Sequence, residues 1–150
     1  MDTLLKDKVP PHNLEAEQAT LGALLLDWNA FPDVAVILKA DNFYSRQNQI
    51  IYRAMISMSN QNVQGDTLTL INELNKNGNL EEAGGTAYIA SLTDTVPTSA
   101  NVSYYANVVL DCSVRRELIR ISQELKAASF DATKQSKNIL EVAEKEIFNI

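Results

Sequence analysis

The stretch from Ser99 to Phe130 contains neither glycine nor proline, and it constrains the fold of this chain more than any other feature. At 1.5 Å per residue, it is long enough for a single helix of about 45 Å. The 150 residues contain only 5 glycines and 4 prolines, and 45% of them are hydrophobic. A sandwich or barrel with many turns needs more chain breakers than this. We therefore predict an all-α fold.

The second half of this stretch predicts one arm of a helical hairpin. Its apolar residues alternate at spacings of four and three, as in a coiled-coil seam; they are Val114, Leu118, Ile121, Leu125 and Ala128. After a predicted turn at 130–137, a last helix repeats the spacing with Leu140, Ala143, Ile147 and Ile150. Two such stripes hold each other, but the long helix has further apolar residues on other sides: Tyr104, Tyr105, Val109 and Ile119. Packing against the preceding bundle would account for residues 104–109, but it explains Ile119 less well. We expect this surplus apolar surface to face a second chain.

The residues before the long helix predict a bundle of short helices. Asn13 and Ser45 are suited to cap two of them, and a third begins near Asp66. Gly22 lies inside the first helix, where glycine costs up to ~1 kcal/mol against alanine, so we expect a neighbour to pack closely there. The predicted organisation is a flexible arm over residues 1–13, a globular helical part over 14–97 and a hairpin over 98–150. Because the apolar spacing of the last helix continues up to Ile150, we expect this sequence to be a piece of a longer chain.

The residues that usually carry catalysis are missing from this sequence. None of the glycines is followed by lysine, which excludes a phosphate-binding P-loop within these residues. A single histidine, His12, and a single cysteine, Cys112, offer little for nucleophilic catalysis or for a metal. We therefore predict no catalytic, cofactor-binding or metal site in these 150 residues.

The charge and the cysteine content bear on partners and location. The net charge of −6 disfavours charge-driven binding to nucleic acid. One cysteine, no targeting segment and no long apolar run predict a cytoplasmic protein without a membrane partner. Two alternatives remain open at this point. The rings of Trp28, Phe43 and Tyr44 would suit a single-stranded DNA-binding module, and a complete chain would be a stand-alone helical adaptor.

Four segments together point to a known family. They are residues 10–18 (PPHNLEAEQ) followed by Leu21-Gly22, residues 41–44 (DNFY), residues 80–85 (LEEAGG) with Tyr88 and Leu92, and residues 96–102 (VPTSANV) with Tyr105-Ala106. In order and spacing they resemble the N-terminal domain of the bacterial DnaB-family replicative DNA helicases. Each segment alone is a weak signal, whereas the combination is specific.

The resemblance implies a non-catalytic part of a ring-shaped hexamer that unwinds DNA. In the family, ATP and Mg²⁺ are handled by a C-terminal RecA-like domain, which follows a linker helix, and both are absent from this sequence. The family's N-terminal domains pair through their hairpins, and three such dimers form a collar that supports ring assembly and binds primase. The resemblance therefore implies self-association and primase as partners. It implies DNA contact through the whole ring, and weak or no DNA binding by this part alone.

The resemblance also carries over candidate partner-binding residues. The family's primase-contact and collar positions fall near Glu15, Tyr88, Ile119 and Leu125 in this sequence. Glu15 also suits a helix N-terminus, Tyr88 a half-buried core position and Leu125 the predicted seam. Ile119 is the candidate that the seam leaves unexplained.

Overall fold

The computed structural model describes residues 8–96 and 98–150, and this part of the chain forms helices and no strand. The predicted all-α fold is therefore confirmed. Residues 1–7 of the predicted arm, and Pro97 at the predicted end of the globular part, lie outside the described residues. The helices are α1 (Leu14–Leu26), α2 (Phe31–Ile37), α3 (Arg46–Asn60), α4 (Thr67–Lys76), α5 (Gly85–Ser91), α6 (Val102–Phe130) and α7 (Ser136–Phe148).

The described residues form two compact units. One spans His12–Asp111, and the other consists of Cys112–Ile150 with residues 8–11; we call them the globular unit and the hairpin unit. The sequence predicted a division at 97/98, whereas the packing divides the chain inside α6. The reason is that Val102, Ala106 and Val109, on the first turns of α6, are buried in the globular core.

Local capping begins the helices of the globular unit where the sequence predicts. The Asn13 side chain accepts a hydrogen bond from the Ala16 amide at 2.9 Å, which starts α1. Ser45 caps α3 in the same way, and Asp66 caps α4 through the Thr69 amide at 2.8 Å. Each cap satisfies an N–H group that has no partner within its own helix. The three predicted helix starts are confirmed.

The core of the globular unit is built around α1 and α3. The apolar stripe of α3 is buried throughout; it consists of Ile50, Ile51, Ala54, Met55 and Met58. Gly22 on α1 lies directly against the Leu92 carbonyl, so that a Cβ at this position would overlap it. The prediction of close packing at Gly22 is confirmed.

The hairpin unit pairs the second part of α6 with α7, and its packing is loose. Ile121 is 5% exposed, whereas no residue of α7 is buried. Ile139, Ala143 and Glu146 are the half-buried residues of α7. The predicted α7 stripe is wrong in this respect, because Leu140 and Ile147 are 69% and 52% exposed. Apolar residues cover two adjoining sides of α7, and the side that carries Ile139 faces α6.

Among the described residues, no single helix is long and apolar enough to cross a membrane. Within residues 8–96 and 98–150, only α1 and the segment Trp28–Ile37 together reach this length and apolar content, and they are bent by 117° relative to each other.

Candidate functional site

A buried carboxylate connects α1 with the beginning of α3. Glu17 is 1% exposed, and its carboxylate accepts hydrogen bonds from the Tyr44 amide at 2.8 Å and the Ser45 amide at 3.2 Å. The side-chain amide of Asn48 donates a third hydrogen bond to it at 3.0 Å. A negative charge is favourable here, because the first N–H groups of a helix lack partners and carry partial positive charge. Glu17 therefore fixes the start of α3 against α1.

The same network reaches Tyr88, one of the predicted partner-binding residues. Asn48 is fully buried, and its side-chain oxygen accepts a hydrogen bond from the Tyr88 hydroxyl at 2.5 Å. Burial raises the pKa of Tyr88, and the negative charge of Glu17 adds to the rise, while hydrogen bonds with Gln18 and Asn48 oppose it. The hydroxyl is thus engaged inside the globular unit, and the half-buried ring leaves only part of its surface accessible.

The other predicted site residue of the globular unit, Glu15, is exposed on the first turn of α1. Sequence analysis did not identify Glu17, its neighbour by two positions, as a buried residue. The signal for it is the helical spacing: Glu17 precedes Thr20, Leu21 and Leu24 by three, four and seven residues. All three of these residues are fully buried, so a charged residue on their side of α1 needs buried partners.

An arginine-centred ion cluster joins the two helices of the hairpin unit. The Arg120 guanidinium donates hydrogen bonds to Glu117, to Glu124 at 2.9 Å and, across to α7, to Glu146 at 2.9 Å. These hydrogen bonds raise the pKa of Arg120, and the bond to Arg120 lowers the pKa of Glu117. Arg120 and Glu124 are four residues apart, as helical ion pairs commonly are, whereas Glu146 lies 26 residues from Arg120 in sequence. The cluster marks one edge of the hairpin.

The opposite edge of the hairpin is apolar and exposed. Leu118 and Leu125 lie seven residues apart on one side of α6, and Leu140 and Ile147 lie seven apart on one side of α7. Both pairs turn away from the edge where Arg120 meets Glu146, so helical periodicity places them along the other edge. Their exposed fractions are 46%, 37%, 69% and 52%. We call this set of four residues the leucine face.

The two arms also leave a cavity between them near the turn. Its volume is about 780 Å³, and apolar side chains dominate its wall; they belong to Ile121, Leu125, Ala128, Ile139, Val142 and Ala143. Because this space is open to solvent, the apolar side chains that line it are not packed into a complete core.

The structure separates the two site residues that were predicted on α6. Leu125 belongs to the leucine face, whereas Ile119, 42% exposed, lies six residues earlier and therefore on another side of the helix. Ile119 thus presents its side chain to solvent away from the hairpin seam. The two residues belong to different surfaces of the hairpin unit.

The described residues contain no group of three or more His, Cys, Asp or Glu side chains arranged to hold a metal ion. Cys112 is free and half-buried.

Residues 9–111 match the family model described as the DnaB-like helicase N terminal domain. The match covers well over half of the chain. The chain belongs to this family. Among curated relatives, the replicative DNA helicase DnaB of Treponema pallidum (strain Nichols) is 42% identical over 146 residues, and the replicative DNA helicase DnaC of Bacillus subtilis (strain 168) is 37% identical over 150. The two matches cover 97% and 100% of this DnaB-like domain but only 33% of either relative.

Solved structures agree with the family assignment. The N-terminal domain of DnaB helicase from Mycobacterium tuberculosis has a TM-score of 0.87 and 30% identity, and the match covers 95% of this chain and all of that one. A DnaB-like replicative helicase, studied with its interactions with primase, has a TM-score of 0.74 over 92% of this chain and 31% of its own. At 20% identity, this second likeness establishes the fold alone.

Proposed function

We propose that this DnaB-like domain is the non-catalytic collar of a hexameric replicative helicase. In this proposal, its hairpin pairs with that of a neighbouring subunit, three pairs support the ring, and the domain docks primase. The observation that carries the proposal is the leucine face, because four large apolar side chains share one exposed edge of a loosely packed hairpin. Apolar surface of this kind marks an interaction site.

Pairing of two hairpins would complete the core that one hairpin leaves open. A second copy presents the same leucine face, so a two-fold axis would bring Leu118 and Leu125 against Leu140 and Ile147 of the neighbour. Four helices would then surround the shared apolar space, as in a four-helix bundle. The charged cluster of Arg120 would stay at the outer edge, where its surplus of carboxylates remains in water.

Hydrogen exchange tests the pairing directly. Because α7 has no buried residue in the single chain, we expect its amides to exchange quickly at low protein concentration and slowly at high concentration. The amides of α3, inside the globular unit, serve as the internal control and should not change. Protection of α7 that is independent of concentration would contradict pairing through this surface.

The proposal assigns primase docking to Ile119, Tyr88 and Glu15, and it assigns Leu125 to hairpin pairing. Ile119 is the primary contact in this account, because it is exposed and contributes to neither the hairpin seam nor the leucine face. Support also comes from the DnaB-like relative whose structure was studied with its interactions with primase. We expect Ile119→Asp to weaken binding to the primase of the same organism by about tenfold or more.

Two controls separate contact from folding in the primase titration. Tyr88→Phe removes the hydrogen bond to Asn48 but keeps the ring, so primase affinity should persist if the ring is the contact. Phe148→Ala removes a larger and more exposed apolar side chain than that of Ile119 from the end of α7, and it should leave primase affinity unchanged. Unchanged affinity in Ile119→Asp, Tyr88→Ala and Glu15→Ala would contradict the docking assignment.

The remaining parts of the proposal concern activity and location. The proposal assigns ATP and Mg²⁺ to no residue of this chain, because the sequence has no Gly-Lys pair of the kind that a P-loop requires. The proposal therefore leaves ATP hydrolysis and DNA unwinding to the two thirds of the relatives' length that this chain does not cover. A cytoplasmic location belongs to the same proposal and follows from the replication role.

A further inference from the structure

The turn of the hairpin carries an aromatic side chain among lysines. Phe130, the last residue of α6, is 83% exposed. Lys126 lies one helical turn before it on the same side, and Lys134 and Lys137 follow in the turn and at the start of α7. All three lysines are exposed. We call Lys126, Phe130, Lys134 and Lys137 the hairpin tip.

The hairpin tip is positive in a negative chain. Residues 126–137 contain three lysines and one acidic residue, Asp131, which gives +2 against −6 for the whole chain. The Asp131 carboxylate accepts hydrogen bonds from the Thr133 amide at 3.0 Å and the Thr133 hydroxyl at 2.6 Å. These bonds stabilise the turn that precedes Lys134.

A second exposed phenylalanine provides the contrast. Phe148, in the last turn of α7, is 87% exposed, but residues 141–150 contain three glutamates and one lysine. This end of the hairpin therefore carries −2. The two phenylalanines are similarly exposed but lie in surroundings of opposite charge. Comparing them therefore separates the effect of charge from the effect of apolar area.

We propose that the hairpin tip binds an acidic amphipathic segment of a partner protein, with an apolar side chain against Phe130 and carboxylates against the three lysines. The partner chemistry follows from the charge complementarity and from the single aromatic anchor.

The same features favour a protein over a nucleic acid. A phosphate backbone is bound by rows of basic residues, whereas in the hairpin tip Phe130 lies between Lys126 and Lys134. The net charge of −6 also repels nucleic acid at long range. The hairpin tip does not depend on the proposed pairing, because Phe130 follows Leu125 by five residues and so lies on another side of α6 from the leucine face.

The test is a titration of the ¹⁵N-labelled chain with a helix-forming peptide that has leucine at every third or fourth position and glutamate elsewhere. Saturable shifts should centre on residues 126–137. Phe130→Ala should weaken binding at least about fivefold, and Lys126→Glu combined with Lys134→Glu should abolish it. Phe148→Ala is the matched control and should bind like the wild type. A peptide with lysine in place of glutamate should not bind the wild type.

Three results would overturn the inference. The first is the absence of saturable shifts at the hairpin tip, and the second is equal weakening by Phe130→Ala and Phe148→Ala, which would indicate unspecific apolar contact. The third is tighter binding of a 15-nucleotide oligo(dT) than of the peptide, with shifts of the same resonances. Since all the substituted side chains are exposed, circular dichroism should confirm that each variant remains folded.

Discussion

The carboxylate of Glu17 accepts a hydrogen bond from the side-chain amide of Asn48 at 3.0 Å, although 31 residues separate the two in sequence. This contact links α1, which contains the family's N-terminal motif, to α3. Through Asn48 it continues to Tyr88 on α5. The polar groups of the network thus satisfy one another inside an apolar core.

Removing the Glu17 carboxylate should destabilise the globular unit strongly. Glu17→Ala leaves two backbone amides and the Asn48 amide without an acceptor, which we expect to cost about 3 kcal/mol of unfolding free energy. Glu15→Ala, two residues earlier and exposed, is the matched control and should change stability by less than about 0.5 kcal/mol. Urea unfolding followed by circular dichroism measures both. Similar losses in the two variants would contradict the assigned role of Glu17.

Adding a methyl group at Gly22 should destabilise the chain despite the higher helix propensity of alanine. The new Cβ would overlap the Leu92 carbonyl, and we expect Gly22→Ala to cost about 2 kcal/mol. At Gly78 a Cβ meets no atom within 4 Å, but φ is +73°, so Gly78→Ala should cost about 1 kcal/mol through the backbone alone. Thermal unfolding compares the two variants, and a stabilised Gly22→Ala would refute the close contact.

Alkaline pH should unfold the protein partly through Tyr52. Burial raises the pKa of Tyr52 to about 12 from 10.0, and its hydroxyl donates to the Leu38 carbonyl at 3.0 Å. A raised folded pKa means that the stabilisation is complete below the unfolded pKa near 10 and is lost as pH rises towards 12. Tyr52→Phe should therefore be less stable at pH 7, by about 1 kcal/mol, and lose less stability above pH 10.

The control for this pH profile is Tyr104→Phe, at a position that is 69% exposed, which should follow the wild type throughout. Burial also raises the pKa of Tyr88. The loss of unfolding free energy with rising pH should therefore be smaller in Tyr52→Phe but still present. Urea midpoints at several pH values between neutral and alkaline provide the measurement. If stability falls with pH as steeply in Tyr52→Phe as in the wild type, Tyr52 is not a source of the alkaline instability.

Sequence predicted the features that depend on neighbours along the chain. The caps at Asn13, Ser45 and Asp66 and the buried stripe of α3 follow from local hydrogen bonding and from helical periodicity. The length of α6 follows from the absence of chain breakers. The resemblance identified the family, because several weak segments occur in a fixed order.

Sequence was less informative where distant residues decide the packing. Ile139 and Leu140 are adjacent and similarly apolar, so the sequence pattern of α7 allowed either of them to face α6. The hydrogen bond between Arg120 and Glu146 shows that α7 turns the side of Ile139 towards α6. Glu17 and Glu15 are both suited to the start of a helix, and only the folded position of Asn48 distinguishes them. The roles of Glu15, Tyr88, Ile119 and Leu125 in partner binding stay predictions.

The most direct test of the central claim is sedimentation equilibrium over a concentration series. We expect the wild-type chain to form dimers or larger assemblies, and Leu140→Asp on the leucine face to shift it to monomers. Phe148→Asp places the same charge at a more exposed residue of α7 outside this face and should leave the assembly intact. A wild-type chain that stays monomeric at the highest concentration, or equal dissociation by both variants, would contradict pairing through the leucine face.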